Sequence, residues 1–150
     1  EICACLVGSE MCIRDSLATE NRTVSLDELC EKDTGKTANL IMAACMMGCI
    51  AAGANETQIN AAKEYALHIG LAFQIRDDIL DVTGDAKELG KNIGVDAQNA
   101  RCTYVSILGV EKAQALVDEH TEKALYALDA FDAGSTFLHE FAEKLATRSK

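Results

Sequence analysis

From Ser25 onward the apolar residues recur at helical intervals, and capping residues mark where each run starts. Ser25 with Glu28 three residues later has the spacing of a capping box, which predicts a short helix through residue 32. Gly35 is expected to separate it from a second helix over 36–52, which stops at Gly53. The uncharged run 38–54 within that helix is diluted by Ala, Gly, Cys and Asn39, so it reads as a fully buried core helix rather than a membrane span. Asn55, with Gln58 three later, caps a run that meets no breaker before Thr83, a helix roughly 40 Å long. Gly84, Gly90 and Gly94 mark a loop over 84–101, and a short segment 103–108 follows. Val110, Ala113, Val117, Ala124, Leu128 and Phe131 fall at steps of three or four, or multiples of these, the signature of an amphipathic helix. Ser135 or Thr136 caps a last helix to residue 146. No internal repeat, low-complexity tract or linker interrupts the sequence after residue 16, which predicts one all-α domain over 17–150.

Residues 1–16 stand apart. They show neither helical nor strand periodicity and lack the basic start and small-residue cleavage site of a signal peptide. The string from Ala4 to Ser16 resembles translated sequencing-adapter DNA, so 1–16 is expected to be non-native and the natural protein to continue upstream of Leu17.

Composition narrows the function classes. Proline is absent where average usage would put about seven, and aromatics are few, which excludes an all-β domain. A net charge of −10 repels polyanions, so nucleic acid is not an expected partner, and a phosphate ligand would need metal ions or local cations as intermediaries. The seven cysteines show no paired C-x-x-C spacing and no histidine cluster, which argues against zinc and for reduced thiols in a cytoplasmic protein.

The chemistry-bearing residues lie near the end of the long helix. Asp77, Asp78 and Asp81 interrupt an apolar helix, and Asp77 and Asp81, four apart, share a face on which like charges repel. That arrangement calls for a cation, and hard carboxylate oxygens suit Mg²⁺, which is typically held by one or two carboxylates plus substrate phosphates. Asp78 is turned about 100° from Asp77, a position suited to orienting a metal-bound water or pairing with a nearby cation. Asp77, further from the helix end than Asp81, is expected to have the more apolar surroundings. Lys36 and Thr37 open a helix where a side-chain cation, a hydroxyl and free N–H groups can face one anion. They do not belong to a nucleotide-binding loop, because Cys30 stands where its first glycine would fall. Lys91 and Arg101 follow the aspartates and can bend back over bound phosphate.

Together these elements resemble the trans-isoprenyl diphosphate synthases, the farnesyl and geranylgeranyl diphosphate synthase family. Phe73-Gln74-x-x-Asp77-Asp78-x-x-Asp81 is similar to that family's second aspartate-rich motif, Lys36-Thr37-Ala38 to its Lys-Thr-Gly/Ala element, Gly90-Lys91 to its Gly-Lys, and Arg101-Cys102-Thr103-Tyr104 to its Lys-Ser/Thr-Thr-Tyr. Arg101 replaces the usual lysine but keeps a charge suited to phosphate, Val105 stands where proline is frequent, and Asn39 is polar in an apolar helix. The family's first aspartate-rich motif and its neighbouring arginines are not in these 150 residues.

The resemblance implies the C-terminal part of an isoprenoid synthase-type helical bundle, homodimeric at full length, around an apolar cavity. The implied enzyme is a short-chain, Mg²⁺-dependent prenyltransferase that joins an allylic diphosphate to isopentenyl diphosphate head to tail. It further implies Asp77, Asp78 and Asp81 as metal ligands, Lys36, Lys91 and Arg101 as diphosphate-binding cations, Thr37 and Gln74 as dipoles facing an allylic cation, and Phe73 as a wall of the homoallylic site. On this reading 17–150 alone lacks half of its ligands and is inactive. A terpene cyclase or head-to-head prenyl synthase is the rival enzyme, and a non-catalytic helical partner subunit the rival outside catalysis. The intact aspartates argue against the second.

Overall fold

The computed structural model describes residues 24–84, 102–131 and 135–149, and every element among them is helical. Helix α1 spans Leu26–Asp33, a π-helical turn spans Thr34–Ala38, and α2 spans Asn39–Ala51. Helix α3 covers Glu56–Thr83, α4 covers Tyr104–Leu108, and α5 covers Val110–Ala127 and passes into a 3₁₀ turn at Leu128–Ala130. Helix α6 spans Thr136–Thr147.

The capping residues act as their spacing predicts. Ser25 and Glu28, and Asn55 and Gln58, form reciprocal capping boxes at the starts of α1 and α3, each satisfying two otherwise orphaned backbone N–H groups. Thr103 and Ser106 do the same for α4. At α6 the Ser135 side chain makes no cap; its carbonyl accepts from Leu138 and His139 instead.

Helix α3 is the axis of the fold. Helix α5 packs along one side of it and α2 along the other, with α4 and α6 against the α3–α5 pair. One core cluster joins Leu29, Ala72, Ile75, Ile79, Tyr104, Ala113 and Val117; a second joins Tyr65, Ile69, Ala124, Leu128 and Ala142. The buried Tyr65 hydroxyl donates to the Leu138 carbonyl at 2.9 Å, tying α6 to α3, and burial pushes its own ionisation up to about 12. Gly70 marks the closest approach of α3 to the π turn, because a Cβ built there would lie 2.6 Å from the Ala38 Cα.

Two expectations fail. Gly35 does not break the chain between α1 and α2; it is buried inside a continuous helical rod, so Lys36 and Thr37 lie within that rod and do not open a helix with free N–H groups. An isolated Gly costs a helix only about 1 kcal/mol relative to Ala, a penalty that tertiary packing overrides. Helix α2 is also not buried all round: Leu40 is 58% and Met47 47% exposed, while Met42, Ala43 and Met46 face inward. An apolar composition shows that a helix needs cover on every side, not that each cover is present. Among the described residues α3 covers one face of α2, and the Leu40, Ala44 and Met47 stripe lies open.

Candidate metal and diphosphate site

The site is built on the last three turns of α3. Gln74, Asp77 and Asp81 fall at i, i+3 and i+7, one stripe about 10 Å long on the helix surface. The π turn docks against the start of that stripe. Thr37 Oγ1 donates to Gln74 Oε1 at 3.3 Å, so two side chains 37 positions apart meet beside the aspartates. Lys36 precedes Thr37 in the turn and is exposed, with its charge felt by Asp33. The turn adds one residue to the helical repeat, a distortion often found where helices carry function.

The three aspartates occupy different environments. Asp78 is 7% exposed, and its Oδ2 accepts from the backbone N–H of Tyr104, the first residue of α4, at 3.0 Å. A carboxylate at that position satisfies an N–H that α4 leaves without an intrahelical partner and complements the helix dipole. Asp81 is also 7% exposed, whereas Asp77 is half-buried, the reverse of the order expected from distance to the helix end. Depth is set by what covers each face of α3, which position along the helix does not report.

Asp77 has a partner that the motif does not contain. Arg148 Nη2 donates to Asp77 Oδ1 at 3.3 Å, and the same guanidinium stacks over the Phe73 ring, 4.2 Å from its centroid. Arg76 holds the segment in place: its Nε and Nη2 donate to the Arg148 carbonyl at 3.0 and 2.7 Å, and its Nη1 to Gln114 Oε1 at 2.7 Å. A single basic residue 71 positions from Asp77 carries no sequence signal, so Arg148 escapes a motif-based reading.

Asp33 is a second missed residue. It lies at the mouth of the π turn, 1% exposed, and neither carboxylate oxygen accepts a hydrogen bond; Lys32 Nζ makes an ion pair at 3.4 Å. Burial pushes its acidity weaker than that of an ordinary carboxyl, against the pull of Lys32 and Lys36. Nearby, the buried Tyr104 hydroxyl donates to Cys30 Sγ at 3.5 Å, and burial beside Asp33 raises its ionisation far above the ordinary range.

Thr37, Phe73, Gln74, Asp77, Asp78 and Asp81 thus converge on one end of α3. Lys91 and Arg101 lie outside the described residues, as does 1–16. Among the described residues no three His, Cys, Asp or Glu side chains come together as a metal cage. Two aspartates on one helix face fit an ion that completes its shell with water and phosphate oxygens, as Mg²⁺ does.

Comparison with known proteins settles the family. Residues 8–132 match the polyprenyl synthetase family, a span that takes in the second half of the 1–16 segment. The chain belongs to the polyprenyl synthetase family. Over 143 residues it is 35% identical to the farnesyl diphosphate synthase of Bacillus subtilis, covering 95% of this chain and 47% of that protein. Over 121 residues it is 37% identical to a chloroplastic geranylgeranyl pyrophosphate synthase of Capsicum annuum, covering 81% of this chain and 33% of that protein. A Helicobacter pylori geranyltransferase, solved with magnesium and isoprenyl diphosphate, superimposes with a TM-score of 0.76 at 32% identity, over 92% of this chain and 45% of the other. The chain therefore spans half or less of the length of these members. No described helix is long and apolar enough to cross a membrane.

Proposed function

We propose that this polyprenyl synthetase chain forms one wall of a short-chain prenyltransferase site, which joins an allylic diphosphate to isopentenyl diphosphate. The observation that carries the reading is the Thr37–Gln74 contact, which sets the Lys36-Thr37 turn on the same helix stripe as Asp77 and Asp81. A diphosphate bound there meets the Lys36 ammonium and the Thr37 hydroxyl at one end. At the other it meets two carboxylates whose mutual repulsion a cation relieves.

Asp77 and Asp81 are the proposed ligands of Mg²⁺, which when bound neutralises the charge that develops on a departing diphosphate. Asp78 holds α4, and with it the segment after Arg101, against the metal-bearing helix. The Thr37 hydroxyl and Gln74 carbonyl offer oxygen dipoles to the allylic cation left when the carbon–oxygen bond breaks. The double bond of isopentenyl diphosphate adds to that cation, and loss of a proton completes the product. The apolar stripe of α2 serves as part of the dry wall that keeps water from the cation. Residues outside the 150 supply the opposite wall, and the complete enzyme is proposed to be a cytoplasmic homodimer.

The test joins this chain to the upstream half of its reading frame and supplies both diphosphates with Mg²⁺. Consumption of isopentenyl diphosphate with release of an elongated prenyl diphosphate is expected, and Asp77→Ala and Asp81→Ala should each lower turnover. Release of a cyclic hydrocarbon, or coupling of two allylic diphosphates without isopentenyl diphosphate, overturns the reading.

A further inference from the structure

Arg148 brings a permanent positive charge to the one aspartate of the stripe that is half open to solvent. We propose that Arg148 is a built-in counter-cation of the metal site, which occupies Asp77 while the metal is absent and gives it up when a divalent cation arrives. The proposal rests on the reading of Asp77 as a metal ligand.

Three features of the contact fit a group made to leave. The ion pair is single-pronged and long for a charge-assisted bond: Nη2 lies 3.3 Å from Asp77 Oδ1, and Arg148 Nε is buried with no acceptor at all. The guanidinium already rests on the Phe73 face, 4.2 Å from the ring centroid, and its Nη2 also donates to the Phe73 carbonyl at 3.5 Å, so favourable contacts remain near it when Asp77 is given up. The backbone is anchored separately, because Arg76 grips the Arg148 carbonyl with two hydrogen bonds at 3.0 and 2.7 Å. Release of Asp77 thus requires only side-chain rotation, and the segment stays docked on α3. Without a metal, the same contact offsets the repulsion between Asp77 and Asp81 on their shared face. A divalent ion bound through Asp77 Oδ1 and a guanidinium 3.3 Å from that same oxygen exclude each other by charge and by volume.

The experiment uses the full chain and Mn²⁺, a paramagnetic stand-in for Mg²⁺ whose free concentration is read from its resonance signal. Arg148→Gln should tighten Mn²⁺ binding about two- to fivefold, the range set by the worth of a partly exposed ion pair. Arg148→Lys should stay near wild type. Asp77→Asn should weaken Mn²⁺ binding and, combined with Arg148→Gln, erase the gain that Arg148→Gln gives alone. If Asp77→Asn weakens binding but Arg148→Gln leaves it unchanged or weaker, the counter-cation proposal falls and the metal assignment stands. If Asp77→Asn leaves Mn²⁺ binding unchanged, both fall. A second measurement reads the side chain rather than the metal: trypsin must draw the Arg148 side chain into its own pocket to cut after it. Cleavage at that bond should quicken several-fold in Asp77→Asn, and in wild type on adding Mn²⁺; equal rates in all three overturn the proposal.

Discussion

His68 on α3 and His120 on α5 face each other through like nitrogens, Nδ1 to Nδ1 at 2.9 Å. One of those nitrogens must carry a hydrogen and the other a lone pair, so the pair tolerates neutral imidazoles and not two imidazolium ions. Burial and the neighbouring His68 and Lys123 push His120 down to about 4, against a weaker pull from Glu119. Burial and Lys123 lower His68 as well, while Glu64 and Glu119 pull it up. An unfolded chain protonates both histidines near the ordinary value of 6.5, whereas the folded chain resists. Stability should therefore be lost as pH falls from about 6.5 toward 4 and recovered as it rises. Thermal midpoints measured from pH 7.5 to 5 should fall more steeply for wild type than for His120→Gln. Parallel curves would show that the pair is not what titrates.

Asp78→Ala and Asp77→Ala should separate structural from ligand roles. Asp78→Ala leaves the buried Tyr104 N–H without its acceptor, at a cost of about 1–3 kcal/mol, and each kcal/mol lowers the thermal midpoint by about 2–4 °C at this size. Asp77→Ala removes a partly exposed ion pair with Arg148, worth about 0–1 kcal/mol. Calorimetric midpoints that rank the two in the opposite order would contradict the role assigned to Asp78.

Gly70→Ala should be among the costliest conservative changes in the chain. Its new methyl would sit 2.6 Å from the Ala38 Cα and 2.7 Å from the Ala38 Cβ, so α3 and the π turn must move apart. Overpacking of this kind costs about 1–3 kcal/mol, visible as a lower urea midpoint. Adding Ala38→Gly should restore little, because the clash with the main chain of the π turn remains; full recovery would place the clash elsewhere.

The open face of α2 should make the isolated chain self-associate. Leu40, Met47 and Ile50 are each about half exposed on a helix that carries no charge. A contiguous apolar surface of this kind is a recruitment site for another one. Sedimentation velocity on the chain should show concentration-dependent association, shifted toward monomer by Leu40→Lys with Met47→Lys. A monomer at all concentrations would mean that residues outside the described set cover the stripe.

Much of the fold was legible in the sequence because the signals are local. Ser25 with Glu28 and Asn55 with Gln58 mark helix starts by chemistry that acts within one turn, and the structure uses both pairs. The stripe of Gln74, Asp77 and Asp81 follows from helical geometry alone. The rest depends on contacts between distant positions. Nothing near Gly35 shows that it sits buried in a continuous rod, nothing near Arg148 shows that its charge returns to Asp77, and the burial order of Asp77 and Asp81 is decided by neighbours that periodicity does not identify. Asp33 belongs to no motif, and nothing in its neighbours Lys32 and Lys36 shows that it is buried beside Tyr104.

The π turn at Thr34–Ala38 gives the rod one place where a residue can be lost without changing its phase. Its five residues take up about the rotation that four do in an α-helix, because the turn carries one residue more than the α-helical repeat. One residue removed there restores an ordinary α-helix and leaves Leu26–Asp33 and Asn39–Ala51 in their present register, with Leu29 and Met42 still facing the core. The same deletion inside α1 or α2 has no surplus to draw on, and everything on one side of it turns by about 100°. The turn thus stores the one spare residue of a continuous rod, and what its loss disturbs is local, the placing of Lys36 and Thr37.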